Sequence, residues 1–153
     1  MKKTSLVLSL LVLSFSQATP PRFLKVTEGV YRSGRPEKYD LKMLKDNYGI
    51  KTIIDLEDIN FTIKNEKEWA KEFNLNFYSY PMSASKTPKD ERVNAALANM
   101  SDPELQPVLV HCKRGRDRTG LIIGLFRVEK QHWTPGDDRS RLWNSIRQTR
   151  ELF

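Results

Sequence analysis

Residues 111–120 read His-Cys-Lys-Arg-Gly-Arg-Asp-Arg-Thr-Gly and hold the chain's one cysteine, Cys112, six positions before Arg118. A cysteine thiolate is a nucleophile, and an arginine presents a planar fork that matches two oxygens of a phosphate. Gly115 lets the backbone turn between them. The apolar, strand-like run 108–110 leads in and the helix-like run 121–128 leads out. Such a passage aims several backbone N–H groups at one point, and the helix N-terminus adds roughly half a positive charge there. A thiol in that field falls from about 8.5 by several units. Cys112 would then attack phosphorus in line with the leaving oxygen and form a cysteinyl-phosphate.

The neighbours have roles in the same scheme. Arg118 would grip the phosphate oxygens in the ground and transition states. Thr119 stands where it could hydrogen-bond the sulfur and help it leave in the second step. His111 would order the loop by bonding backbone carbonyls. Lys113, Arg114 and Arg116 crowd further cations around the anion, with Gly115 and Asp117 among them.

Those residues need a frame. Residues 30–33 predict a short strand ending in a turn at Gly34. Pro36 can open a helix to about Asn47, with Tyr39, Leu41, Met43, Leu44 and Tyr48 as its apolar members and Gly49 as its stop. Residues 52–56 are β-branched and short, as in a buried strand. A helix is predicted over 65–73, with Trp69 and Phe73 on one face, and a strand over 75–80. Residues 81–87 read as a loop, and Pro88 can begin a helix to about Met100 carrying Val93, Leu97 and Met100 inward. Asp102-Pro103 breaks it. After the strand 108–111 and the cysteine loop comes a buried helix over 119–131. A last helix from Pro135 or Gly136 would turn Leu142, Trp143, Ile146 and residues 149–152 inward. Strands alternating with helices predict an α/β domain with a largely parallel sheet. Ligands in such sheets bind beyond the carboxyl ends of the strands, where the cysteine loop falls.

The chain begins Met1-Lys2-Lys3, continues with a mainly apolar run at 6–15, and places small residues at Ser16 and Ala18. That layout predicts a secretory signal peptide over residues 1–18, leaving 19–153 as a single domain. Export to the periplasm or beyond would favour disulfides, which one cysteine cannot form internally, so a reactive role for Cys112 gains weight. The net charge of +7, about +5 without Lys2 and Lys3, suits an anionic partner. No later segment is apolar enough to span a membrane. His111 and His132 are the only histidines, so the sequence offers no metal site and no cofactor is expected.

Residues 111–120 resemble the phosphate loop of the cysteine-based protein tyrosine phosphatase superfamily, and its small dual-specificity branch in particular. The order of elements from Tyr31 to about Leu152 is similar to that family's core, a mostly parallel sheet flanked by helices. Residues 30–36, Val-Tyr-Arg-Ser-Gly-Arg-Pro, resemble an opening seen in bacterial and atypical dual-specificity members. The basic pair Lys113 and Arg116 resembles the loop of the tumour-suppressor phosphoinositide 3-phosphatase. It is also similar to that of bacterial tyrosine-phosphatase-like phytases and of plant and fungal atypical dual-specificity enzymes acting on inositol polyphosphates. With the signal peptide added, the resemblance implies a secreted bacterial phytase-like enzyme.

The resemblance also implies a general acid, an aspartate on a mobile loop, often within Trp-Pro-Asp. This chain lacks that tripeptide. By position after a strand and before a helix, the equivalent stretch is 80–91, and Asp90 is the first choice there, with Glu91 sharing its ambiguity. Asp117, beside Arg118 as in some phosphoinositide phosphatases, is the alternative. Asp55 and Asp58 are outside possibilities, Asp55 reading as a structural hydrogen-bonding residue.

Three functions fit. The first is a metal-independent phosphatase for inositol polyphosphates, a monomer whose partner is a small polyanion rather than nucleic acid. The second is a protein phosphatase for phosphotyrosine or phosphoserine/threonine. The third is a catalytically silent phosphate- or nucleic-acid-binding module, which the joint presence of Cys112, Arg118 and Thr119 argues against.

Overall fold

The computed structural model describes residues 19–59 and 61–133; the expected signal segment and the last predicted helix lie outside them. Among the described residues, five strands and four helices alternate after a short hairpin: β1 (Leu24–Thr27), β2 (Val30–Gly34), α1 (Lys38–Tyr48), β3 (Thr52–Asp55), α2 (Phe61–Glu72), β4 (Asn76–Ser79), α3 (Asp90–Ser101), β5 (Val108–Cys112) and α4 (Asp117–Gln131). They form one sheet in the order β1-β2-β5-β3-β4. β2, β5, β3 and β4 run parallel, and β1 pairs antiparallel with β2 at the edge. The α/β architecture with a mostly parallel sheet is as the sequence predicts. The antiparallel edge is an addition. β1 is short and half exposed, so it lacks the apolar run that marks the central strands.

Central parallel strands are covered on both faces, and every residue of β3 and β5 is buried. Their period of two divides the core. Val108, Val110 and Cys112 of β5 join Ile54 of β3 and Val30 of β2 against α3 and α4, where Ala96, Leu97, Met100, Ile122, Ile123 and Phe126 meet them. Leu109 and Ile53 point the other way, onto Leu41, Leu44 and Ala70 of α1 and α2. Each of the Val, Leu, Ile, Met and Phe side chains among them, taken fully from water, contributes roughly 1.5–3 kcal/mol.

The helices are bounded by local chemistry. At α1, the Glu37 carboxylate accepts from the third helical residue's N–H while Asp40 accepts from the Glu37 N–H, a reciprocal cap. Gly49 ends α1 in the left-handed region, φ 66°. Of the apolar members of α1, Tyr39 and Tyr48 are exposed, because Leu41, Met43 and Leu44 fill its inward face. α2 starts earlier than predicted. So does α4, which opens at Asp117, so that Asp117 and Arg118 belong to its first turn.

Before β1 the chain is anchored by rings. Phe23 stacks on Tyr31 of β2 at 5.6 Å between centroids and meets the edge of Tyr48 at 4.7 Å. Pro21 O accepts the Gly34 N–H at 2.6 Å, which ties this segment to the end of β2, beside the cysteine loop.

Candidate active site

β5 delivers two adjacent side chains to opposite faces of the sheet. Cys112 falls on the α4 side and His111 on the α2 side, as strand alternation requires. The chain then turns through residues 113–116 into α4. Gly115 makes the turn at φ 64°, and its Cα is pressed on the end of β2: a Cβ there would lie 2.4 Å from Ser33 O. Only glycine fits such an approach.

A cleft of about 410 Å³ opens over the loop, lined by Ala84, Cys112, Lys113, Arg114, Asp117 and Arg118. Cys112 lies at its base and is almost wholly buried. Burial alone would push the thiol up. The hydroxyl and N–H of Thr119, the Arg118 guanidinium and the Gly115 N–H outweigh burial and hold it below its ordinary value. The Thr119 hydroxyl is itself fully buried, and it is the first of the groups that hold the thiol down. Arg118 Nη1 donates to Met82 O at 3.1 Å and to Leu56 O at 3.5 Å, so the guanidinium is aimed by the loop after β4 and by the end of β3. Lys113 and Arg114 are exposed at the mouth, and Arg116 is half-buried as the residue before α4.

The two proton-donor candidates part company here. Asp117 lines the cleft from the first turn of α4. Asp90 and Glu91 are exposed in the first turn of α3, where acidic groups favour the helix dipole, and neither lines the cleft. The loop that precedes them brings Ala84 to the cleft instead. Asp58 is exposed. Asp55 is buried and accepts the Glu57 N–H at 2.8 Å, the hydrogen-bonding role that its strand position suggests.

His111 differs from the expectation of backbone carbonyl partners. Its Nε2 is 2.7 Å from Glu66 Oε1 on α2, and its Nδ1 stands 3.9 Å from Asp55 Oδ1. Burial would push the imidazole down, but Glu66, Asp55 and Glu57 hold it up at about 9, so it is an imidazolium at neutral pH. Burial pushes Asp55 up to about 6 against the pull of that imidazolium. Asp55, Glu57 and His111 put ligand-type atoms within 4.8 Å of one another, a grouping the histidine count did not suggest. Arg35 already grips Glu57 in a fork, with bonds of 2.6 and 2.5 Å, and His111 carries a proton, so this set is balanced by its own cations. Arg32 is a further residue the sequence reading did not assign. From β2 its Nη2 donates to Gly115 O at 2.5 Å. Glu66 had a faint signal: with Ala70 it falls i, i+4 on the inward stripe of α2, an odd place for a carboxylate without a buried cation.

Residues 18–137 match the tyrosine phosphatase family. The chain belongs to that family. Among its members, the inositol diphosphatase DSP4 of Arabidopsis thaliana is 34% identical over 118 residues, 74% of this chain and 58% of that protein. The inositol diphosphatase SIW14 of Saccharomyces cerevisiae is 30% identical over 119 residues, 75% of this chain and 42% of that protein. This tyrosine phosphatase family chain thus spans about half the length of these relatives. Its fold superposes on the core catalytic domain of SIW14 with a TM-score of 0.76 at 26% identity, covering 90% of this chain and 80% of that one. It also shares the fold of TpbA from Pseudomonas aeruginosa, with a TM-score of 0.64 at 22% identity over 84% and 72% of the two chains.

Proposed function

We propose that the protein is a metal-independent phosphomonoesterase of inositol polyphosphates, working through a cysteinyl-phosphate. The observation that carries this reading is a thiol held low at the base of a cleft by Thr119, Arg118 and a loop N–H. In the first step Cys112 Sγ bonds to phosphorus, the bond to the leaving oxygen breaks, and Asp117 gives that oxygen a proton. In the second, water attacks phosphorus, the S–P bond breaks, and Asp117 takes the water's proton. Arg118 holds the equatorial oxygens throughout, and Thr119 stabilises the departing thiolate. We prefer Asp117 to Asp90 as the acid because it lines the cleft.

The substrate class rests on the cleft's lining and on the relatives. Lys113 and Arg114 join Arg118 there, and among the described residues the lining contains no aromatic ring to sandwich a phosphotyrosine. Relatives that bear the name inositol diphosphatase favour the same class. The reading also includes a signal peptide cut after Ala18, export to the periplasm or medium, a single domain over 19–153, and action as a monomer.

The test is phosphate release, in chelator, from inositol hexakisphosphate, inositol diphosphates, phosphotyrosine peptides and phosphoinositides, with Cys112→Ser alongside. Turnover of the inositol substrates without metal, abolished in the serine variant, is expected. Turnover confined to phosphotyrosine peptides would transfer the reading to a protein phosphatase. A fully active serine variant would remove the mechanism.

A further inference from the structure

The floor of the cleft depends on which way the peptides of residues 113–116 point. In a trans peptide the C=O of one residue and the N–H of the next point in opposite directions. A carbonyl captured from outside the loop therefore turns the following N–H inward. Three successive carbonyls are captured in this way. Lys113 O accepts the Arg35 N–H at 3.3 Å. Arg114 O accepts from Arg22 Nη1 at 3.0 Å, and Gly115 O accepts from Arg32 Nη2 at 2.5 Å. All three donors come from the stretch between Arg22 and Arg35, which holds no residue of the phosphate loop.

We infer that Arg32 and Arg22 are positioning residues for the reaction: with the Arg35 N–H they hold the loop carbonyls outward, and so aim the N–H groups of Arg114 and Arg116 at the anion and set that of Gly115 against Cys112. The Gly115 N–H donates to Cys112 O at 3.3 Å and is among the groups that hold the Cys112 thiol down. The clamp is built to stay put. Arg22 sits at φ 57°, a conformation held by the Phe23 N–H bond to Pro20 O, the Pro21 bond to Gly34 and the rings of Phe23, Tyr31 and Tyr48. Arg32 pairs in register with Val110 of β5 and is half-buried, with no partner for its Nε among the described residues. The charged groups that face it are Cys112, Arg127 of α4 and Arg22. Burial and the two arginines push its guanidinium below the ordinary value, while the Cys112 thiolate pulls it back. A cation kept there against two like charges wants an anionic counterpart, and the thiolate or the bound phosphate supplies it.

The inference rests on the phosphatase reading only for its rate measurement. The thiolate is read separately, from the pH dependence of Cys112 alkylation by iodoacetamide and from binding of orthovanadate. In Arg32→Ala, kcat/KM is expected to fall on the order of 10- to 100-fold, with the alkylation midpoint raised by about one unit and vanadate binding weakened in step. Arg32→Lys, which keeps a donor for Gly115 O, should recover most of that loss. The exposed Arg22→Ala should act in the same direction by about two- to fivefold. A folded Arg32→Ala whose alkylation midpoint and vanadate affinity match the parent's, with only Tm lowered, overturns the inference. So does a lysine variant no better than alanine. If Arg32→Ala does not fold, Arg22→Ala decides: an unchanged midpoint and rate overturn the clamp. A parent protein that alkylates at low pH yet releases no phosphate would defeat the functional reading and leave the clamp standing.

Discussion

The two faces of the sheet at the end of β5 carry opposite electrostatics one residue apart. On the α2 side His111 is an imidazolium walled by Glu66, Asp55 and Glu57, with Arg35 outside them. On the α4 side the Cys112 thiol is held below its ordinary value by Thr119, Arg118 and N–H dipoles, with the Arg32 guanidinium facing it. A buried charge needs a partner and hydrogen bonds to be tolerable. The first face solves that with fixed carboxylates from β3, the loop that follows it, and α2. The second leaves room for a substrate to contribute the negative charge. The alternation of a strand thus separates the groups that hold the loop from the groups that react, and each can be disturbed alone.

The largest expected effect lies on the reacting face. Asp117→Asn should lower kcat for inositol phosphates by about 10²–10³-fold, since a positioned acid is worth that much when the leaving group is an alkoxide. Hydrolysis of p-nitrophenyl phosphate, whose leaving group needs little help, should fall less than about tenfold. Asp90→Asn should change neither. A reversed pattern, with Asp90→Asn selectively impairing the alkyl substrate, would move the acid to the loop before α3.

The holding face should answer in stability and pH. His111 in the folded protein titrates at about 9, above its ordinary 6.5. Its contribution is therefore complete below pH 6.5 and is lost as pH rises through 9, at a slope of up to about 1.4 kcal/mol per pH unit. Asp55, also raised, to about 6 from 3.8, contributes most below 3.8 and loses that contribution as pH rises through 6. Glu66→Gln removes the first carboxylate that holds His111 up, so the decline of Tm between pH 6.5 and 9 should flatten. At pH 6 the variant should lose about 1–3 kcal/mol, or roughly 4–10 °C of Tm. Thermal melts across pH check both; an unchanged slope would mean that His111 takes its charge from elsewhere.

How much of this was readable beforehand follows from range. The reacting face is local in sequence: Cys112, Gly115, Arg118 and Thr119 lie within eight residues, and a strand and a helix bracket them. The alternation of apolar runs also carried the sheet and most helices. The holding face is not local. Glu66 lies 45 positions from His111, and even on the reacting face Arg32 lies 83 from Gly115. Period and composition say that Glu66 faces inward, not what it meets, so they leave His111 with backbone partners alone. Asp90 lost its place in the cleft for a similar reason. Its distance along the chain from Pro81 was legible, but the loop's path, which brings Ala84 forward instead, was not.

A smaller effect than at Asp117 should come from the rim, which neither holds the loop nor reacts. Lys113 is exposed, and an exposed cation meeting one phosphate gains little in high dielectric. Lys113→Ala should raise KM for inositol hexakisphosphate about three- to tenfold, with kcat held and p-nitrophenyl phosphate unaffected, because uniform binding energy appears in KM alone. Added salt should erase most of the difference by screening the same interaction. If kcat falls instead, Lys113 is acting on the transition state, and the division between the rim and the reacting face would have to be redrawn one residue closer to Cys112.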